Sequence, residues 1–164
     1  MLEKIIDILA GIENYDRRAE ELIKKSLKLY KTGKTIDKLY ALRLYNYIRK
    51  KYCCDIFPGV TVGKRLYIAH AQSILIGKTS VIGNDCKIYP NVYIVAGLKD
   101  DDYRTGLRIR RHPKIGNNCV IGCGAKIVGA IEIGNNVTIA AGAIVTKDVP
   151  DNTMVRGINI QKSI

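Results

Sequence analysis

An aliphatic residue stands at every sixth position from Ile115 onward: Ile115, Ile121, Ile127, Ile133, Ile139 and Val145. An amphipathic helix repeats its apolar face at three and four residues, and a half-buried strand at two. A period of six with turns between therefore predicts short strands wound into a solenoid. A second inward register follows four residues after the column members, at Cys119, Ala125, Ile131, Val137 and Ala143. Gly116, Gly122, Gly134 and Ala140 come directly after column members, as suits corners where the backbone needs room. The pattern also runs earlier, through Ile76, Ile82, Ile88 and Ile94, with Ser80, Cys86 and Val92 in the inner position. Ile56, Val62 and Ile68 precede it, two residues out of phase, and the slip falls on His70-Ala71-Gln72-Ser73. Ile94 and Ile115 lie 21 residues apart, which is not a multiple of six. Asp100 to Asp102 and Arg108 to Arg111 between them are too polar for a solenoid interior, so a loop extruded over about 97–111 is expected. Both breaks in register carry or adjoin a histidine, and the chain has no others. Departures from a local rule are where function is expected.

Before the solenoid the period changes. Ala19, Leu22, Ile23, Leu27 and Tyr30, then Ile36, Tyr40, Leu44, Tyr47 and Ile48, recur at three- and four-residue intervals and predict two helical runs. Gly33 separates them in the position of a helix C-cap, and Thr35 stands where an N-cap would serve the next helix. Asp55-Ile56-Phe57-Pro58-Gly59 switches the period to six. The expected organisation is a helical segment over 1–52, a solenoid over 53–149 and a tail over 150–164. A parallel solenoid exposes its end coils, so the helical segment is expected to cap one end. The flat sides of such a prism invite packing against copies of the same chain, most simply in a closed ring.

Composition narrows the function classes. With 164 residues, 47% of them apolar, the chain suits one globular domain with a core. No run approaches the roughly 18 consecutive apolar residues of a membrane span, and Met1-Leu2-Glu3-Lys4 opens no signal-peptide pattern, so a cytoplasmic location is expected. Five cysteines without a paired framework fit a reducing compartment. Cys53-Cys54 and Cys119 to Cys123 lack a second pair at zinc-finger spacing, and two histidines cannot complete such sites, so no metal is expected. A net charge of +12 would allow nucleic-acid binding, yet no nucleic-acid motif accompanies it. Much of the excess lies on Lys24, Lys25, Lys28, Lys31, Lys34, Lys38, Arg43, Arg49, Lys50 and Lys51, which read as the solvated outer face of the helices.

Several segments taken together resemble the hexapeptide-repeat acyltransferases, and within them the serine acetyltransferase type. They are Asp55-Ile56-Phe57-Pro58-Gly59, Leu66-Tyr67-Ile68-Ala69-His70, Ile76-Gly77-Lys78-Thr79, Arg111-His112-Pro113-Lys114-Ile115-Gly116 and Ile121-Gly122-Cys123-Gly124-Ala125-Lys126-Ile127. The resemblance covers residues 53 to about 157. It implies a left-handed parallel β-helix, a homotrimer, and acetyl-CoA bound as co-substrate in the groove between adjacent subunits. His70 matches the family's catalytic histidine, an imidazole able to take a hydroxyl proton near neutral pH. Asp55 matches the carboxylate that pairs with it and stabilises the imidazolium. Arg111 and His112 match residues that hold the acceptor across the subunit boundary. Backbone N–H groups near Cys123 and Ala141 match the cofactor-binding region, where they would meet the pantetheine arm and a developing oxyanion. Lys126, Lys147 and Arg156 are candidates for the nucleotide phosphates.

The chain also departs from that pattern. Serine acetyltransferases usually carry an aspartate directly before the catalytic histidine, where it meets the ammonium group of serine; here the residue is Ala69. Val95-Ala96 stand where two glycines are usual, and the polar Asp100, Asp101, Asp102, Tyr103 and Arg104 of the loop suit a polyol. An ammonium ion desolvated beside alanine lacks its counter-charge. These departures favour a sugar hydroxyl, as in surface-polysaccharide modification, over free serine. The rival classes are a non-catalytic solenoid scaffold and a zinc lyase of the carbonic anhydrase kind, which needs three histidine ligands per metal.

Overall fold

The computed structural model describes residues 12–97 and 112–159. Among the described residues two helices, α1 (Ile12–Lys31) and α2 (Thr35–Tyr52), precede fifteen short strands. The strands are β1 (Asp55–Ile56), β2 (Thr61–Val62), β3 (Tyr67–Ile68), β4 (Leu75–Ile76), β5 (Val81–Ile82), β6 (Lys87–Ile88), β7 (Tyr93–Val95) and β8 (Lys114–Ile115), followed by β9 (Val120–Ile121), β10 (Lys126–Val128), β11 (Glu132–Ile133), β12 (Thr138–Ile139), β13 (Ile144–Val145), β14 (Met154–Val155) and β15 (Ile158–Asn159). All pair in parallel, and they sort into three sheets. Sheet A holds β1, β4, β7, β10, β13 and β15; sheet B holds β2, β5, β8 and β11; sheet C holds β3, β6, β9, β12 and β14. From β1 to β13 successive strands visit A, B and C in turn, and the lone bridge of Val149 to Ile133 takes the sheet B place before β14 and β15, so the chain winds as a three-sided, left-handed parallel β-helix.

The register explains the period of six. Ile56, Ile76, Ile94, Ile127 and Val145 stack on sheet A, and Val62, Ile82, Ile115 and Ile133 stack on sheet B. Ile68, Ile88, Ile121, Ile139 and Val155 stack on sheet C. One column in the sequence is thus three columns in space, all converging on the axis. Ile76, Ile82, Ile88, Ile94, Ile115, Ile121, Ile127 and Ile139 are fully buried there. Each such burial contributes roughly 1.5–3 kcal/mol relative to exposure. The smaller register, with Ser80, Cys86, Val92, Cys119, Ala125, Val137 and Ala143, fills the space beneath the corners. β8 pairs with β5 through Ile82 and Ile115, so the solenoid resumes in step after the segment that follows β7.

Glycine at a corner lets consecutive coils stack closely. A Cβ on Gly122 would press on the backbone of Ala140 and Ala141 in the next coil, and one on Gly83 would press on that of Gly116. At the edge where sheet B passes to sheet C, asparagines tie the coils together. Asn84 N–H donates to Asn117 Oδ1 at 2.8 Å, Asn117 N–H to Asn135 Oδ1 at 2.9 Å, and Asn135 N–H to Asp151 Oδ1 at 2.7 Å.

The helices cover the first coil. Ala19, Ile23, Leu27, Ile48 and Tyr52 share one core with Ile56, Val60 and Leu66, and Tyr30 and Tyr45 both meet Phe57 edge-on with ring centroids 5.7 Å apart. Ser26 Oγ donates to Ala41 O at 2.9 Å and joins the two helices. Gly33, at φ +79°, ends α1 in the left-handed conformation that glycine accepts most easily. One expectation fails here. Thr35 is the first residue of α2 rather than its cap; Lys34 holds the cap position without a side-chain hydrogen bond, and Asp37 is tied instead to Thr32 Oγ1 at 2.7 Å. Ile36, Tyr40 and Tyr47, which carry part of the spacing that predicts this helix, are exposed, Ile36 by 81%. The buried stripe of α2 runs through Ala41, Ile48 and Tyr52, while Lys25 and Lys51 lie over the exposed rings of Tyr40 and Tyr47.

Candidate active site

The two breaks in register fall on two different edges of the prism. At the edge where sheet C passes to sheet A, Ser73, Asn91, Gly124 and Gly142 occupy equivalent left-handed corner positions. Their N–H groups donate to Tyr52, Gln72, Pro90 and Cys123 O respectively. Ala69 N–H donates to Ile88 O in ordinary register. His70 and Ala71 are therefore the two extra residues of the first coil. Ala69 and Ala71 are buried, and His70 between them is exposed at φ +43°. A non-glycine residue in that conformation is uncommon, and such strain concentrates at functional sites. The insertion pushes one imidazole out from the edge.

Asp55 opens sheet A beside the same corner: its N–H donates to Ile74 O, and β1 pairs with β4, into which the His70 turn leads. Its carboxylate is about 40% exposed on the side-chain measure. The hydrogen bond and the ion pair it makes run to α2, with Tyr45 Oη donating to Oδ1 at 2.5 Å and Arg49 Nε 3.5 Å from Oδ2. Burial, then the hydrogen bond to Asp55 and its negative charge, push the Tyr45 phenol up to about 12. Tyr45 and Arg49 are contacts that sequence reasoning missed, and Arg49 was assigned to the solvated face. Their four-residue spacing on one helix, ending just before Asp55, was the available signal.

Cys123, Ala141 and Arg156 also lie along the C-to-A edge, in later coils. The Cys123 thiol and Ala141 are exposed. Among the described residues the ladder bonds at this edge are donated by Gly124 and Gly142, leaving the N–H groups of Cys123 and Ala141 outside it. Arg156 Nε is 3.1 Å from Met154 Sδ. Lys126 is exposed at the start of β10 in sheet A, whereas Lys147 follows β13 on the far border of that sheet. The five candidates for the cofactor thus do not form one cluster within a chain.

His112 belongs to the other edge, where sheet A passes to sheet B. Its ring lies against Gly77, directly after β4, where any Cβ would collide with Cδ2 and Nε2. Its Nδ1 is 2.6 Å from Thr79 Oγ1. Thr79 was not singled out from the sequence except as part of a motif. Arg111 and the expected loop over 97–111, with its polar Asp100 to Arg104, fall outside the described residues apart from Gly97. His70 and His112 therefore stand on opposite borders of sheet A. Six residues per side at about 3.3 Å each span roughly 15–20 Å, too far for both rings to reach one small acceptor within a chain. Among the described residues no three His, Cys, Asp or Glu side chains converge as metal ligands would, and no helix is long and apolar enough to cross a membrane.

Comparison with known proteins bears on this arrangement. Residues 112–147 match the bacterial transferase hexapeptide family, described as six repeats. A serine acetyltransferase of Synechococcus elongatus is 39% identical over 104 residues, covering 63% of this chain and 40% of that protein. One from Staphylococcus aureus is 37% identical over 134 residues, covering 73% of this chain and 59% of the relative. Among solved structures, the Neisseria gonorrhoeae serine acetyltransferase in complex with serine superposes with a TM-score of 0.73 at 33% identity, covering 90% of this chain and 57% of that one. The chain spans about half the length of the relatives it matches.

Proposed function

We propose, because this chain is a hexapeptide-repeat protein of the serine acetyltransferase type, that it transfers the acetyl group of acetyl-CoA to the hydroxyl of L-serine. The observation that carries the reading is the two-residue insertion that projects His70 from a solenoid edge beside Asp55. His70 takes the hydroxyl proton as the acceptor oxygen attacks the thioester carbonyl. The Asp55 carboxylate at the same corner is the group able to stabilise the imidazolium, and Tyr45 and Arg49 hold that carboxylate in place. The N–H groups of Cys123 and Ala141 are donors for the oxyanion or the pantetheine arm. Collapse of the tetrahedral intermediate expels the CoA thiolate, which recovers the proton from His70 as free CoA leaves. Lys126, Lys147 and Arg156 offer charge to the nucleotide phosphates. Arg111 and His112 hold the acceptor.

The division of the two histidines between opposite borders of sheet A supports a homotrimer, in which one chain's C-to-A edge faces its neighbour's A-to-B edge. The sugar acceptor favoured by Ala69 and the polar loop draws no support from the relatives described above, which are serine acetyltransferases. Ala69 removes one counter-charge for an ammonium group and implies weaker serine binding rather than a different chemistry. Release of free CoA from acetyl-CoA, compared between L-serine and a panel of nucleotide sugars and oligosaccharides, tests the proposal. Turnover with L-serine is the expected result; turnover confined to sugars would restore the saccharide reading, and none with any hydroxyl acceptor would leave a scaffold.

A further inference from the structure

His112 is held by two residues that the catalytic reading leaves without a role. Gly77 lies under the Cδ2–Nε2 side of the ring, and its missing Cβ is what leaves room for the imidazole. Its φ is not in the left-handed region, so the glycine is not explained by backbone conformation. On the other side of the ring, Thr79 Oγ1 meets Nδ1 at 2.6 Å. Gly77 N–H donates to Ile94 O and Ser80 N–H donates to Gly77 O, so both holding residues belong to a corner fixed by the coil itself. The residue that precedes His112 lies outside the described residues, and β8 (Lys114–Ile115) begins two residues after His112. The ring takes both of these contacts from the rung it rests on.

Resting on the acetyl-transfer reading, we infer that Thr79 and Gly77 are positioning residues for His112: the Thr79 hydroxyl donates to Nδ1 and fixes the tautomer that carries its proton on Nε2. That tautomer presents a hydrogen-bond donor, the form required to meet a carboxylate or hydroxyl oxygen of the acceptor. The opposite tautomer would offer a lone pair to an acceptor carboxylate and repel it. Gly77 sets the tilt of the ring and Thr79 its protonation pattern. The contribution is to acceptor binding and orientation, not to proton transfer.

The test combines imidazole spectroscopy with kinetics on the whole protein. Two histidines in the chain make their ¹⁵N ring signals assignable with a His70→Ala reference. The expected wild-type pattern for His112 is the Nε2–H tautomer. T79V is expected to mix the tautomers and raise the acceptor KM roughly three- to tenfold, the range for one lost hydrogen bond, while the acetyl-CoA KM stays as it was. T79S restores both readouts. G77A is expected to displace the ring and raise the acceptor KM while thermal unfolding stays close to wild type, because the added methyl meets a movable side chain. A T79V protein with the wild-type tautomer, or an active one with an unchanged acceptor KM, overturns the inference. Tautomer mixing in T79V together with no acetyl transfer by the wild-type protein would uphold the hydrogen bond and defeat the acetyl-transfer reading instead.

Discussion

His70 owes its exposure to two residues that the coil does not need. The buried alanines on either side leave the imidazole as the part of the insertion that reaches solvent. His70→Ala is expected to leave the fold and acetyl-CoA binding intact and to lower turnover by roughly a hundredfold or more, the usual cost of a lost general base. Steady-state rates beside calorimetric acetyl-CoA binding check this, and unchanged turnover would remove His70 from the chemistry. Both histidines were legible because each interrupts a strict period. Tyr45, Arg49 and Thr79 were not, because nothing interrupts at their positions: Tyr45 and Arg49 meet Asp55 only after α2 folds back over the first coil. Thr79 meets His112 across 33 residues of sequence. Contacts between separate periodic segments leave no mark on either period.

The elements of the solenoid were read more completely than its corners. The apolar period named the strands, but it could not show that one column would become three, since that depends on the corner turning through a third of a circle each time. Nor did it reveal the polar ladder at the B-to-C edge, although Gly83-Asn84, Gly116-Asn117 and Gly134-Asn135 recur in the sequence. That ladder ends on Asp151, whose carboxyl is held below the usual carboxylate range by the Asn135 N–H. Near its start, Asp85 is lowered by its hydrogen bond with Arg65. A carboxyl whose folded pKa is depressed stabilises the fold above its unfolded value, about 3.9, and the contribution disappears as pH falls through the lower folded value. Melting temperature is therefore expected to drop on the acid side of about pH 4. Asp151→Asn keeps an oxygen acceptor without the charge; it should melt lower than wild type at neutral pH and lose less on acidification. Equal acid sensitivity in the two proteins would exclude Asp151 as a source of the effect.

At the scale of the whole molecule, the proposed function makes a demand that one chain alone does not meet, because it places the two histidines in one site. If each site takes His70 from one chain and His112 from the next, two impaired variants should repair one another. Mixing H70A with H112A in equal amounts, after reversible dissociation, should regenerate intact sites at about a quarter of all interfaces if exchange is random. The readout is CoA release by the mixture against either variant alone, with the mass of the assembly measured in parallel. A threefold assembly that shows no recovery would mean that His70 and His112 do not share a site across the seam.

Ile121 lies opposite Ile139 in the next coil, eighteen residues on. Eighteen is therefore the unit in which this architecture can lengthen or shorten without turning an apolar face outward. Any other gain or loss has to be absorbed outside the rungs, at a vertex, where it becomes a protrusion. Both histidines stand beside such irregular steps, so new chemistry enters this kind of fold most readily as an error in its counting that the regular coils on either side can tolerate.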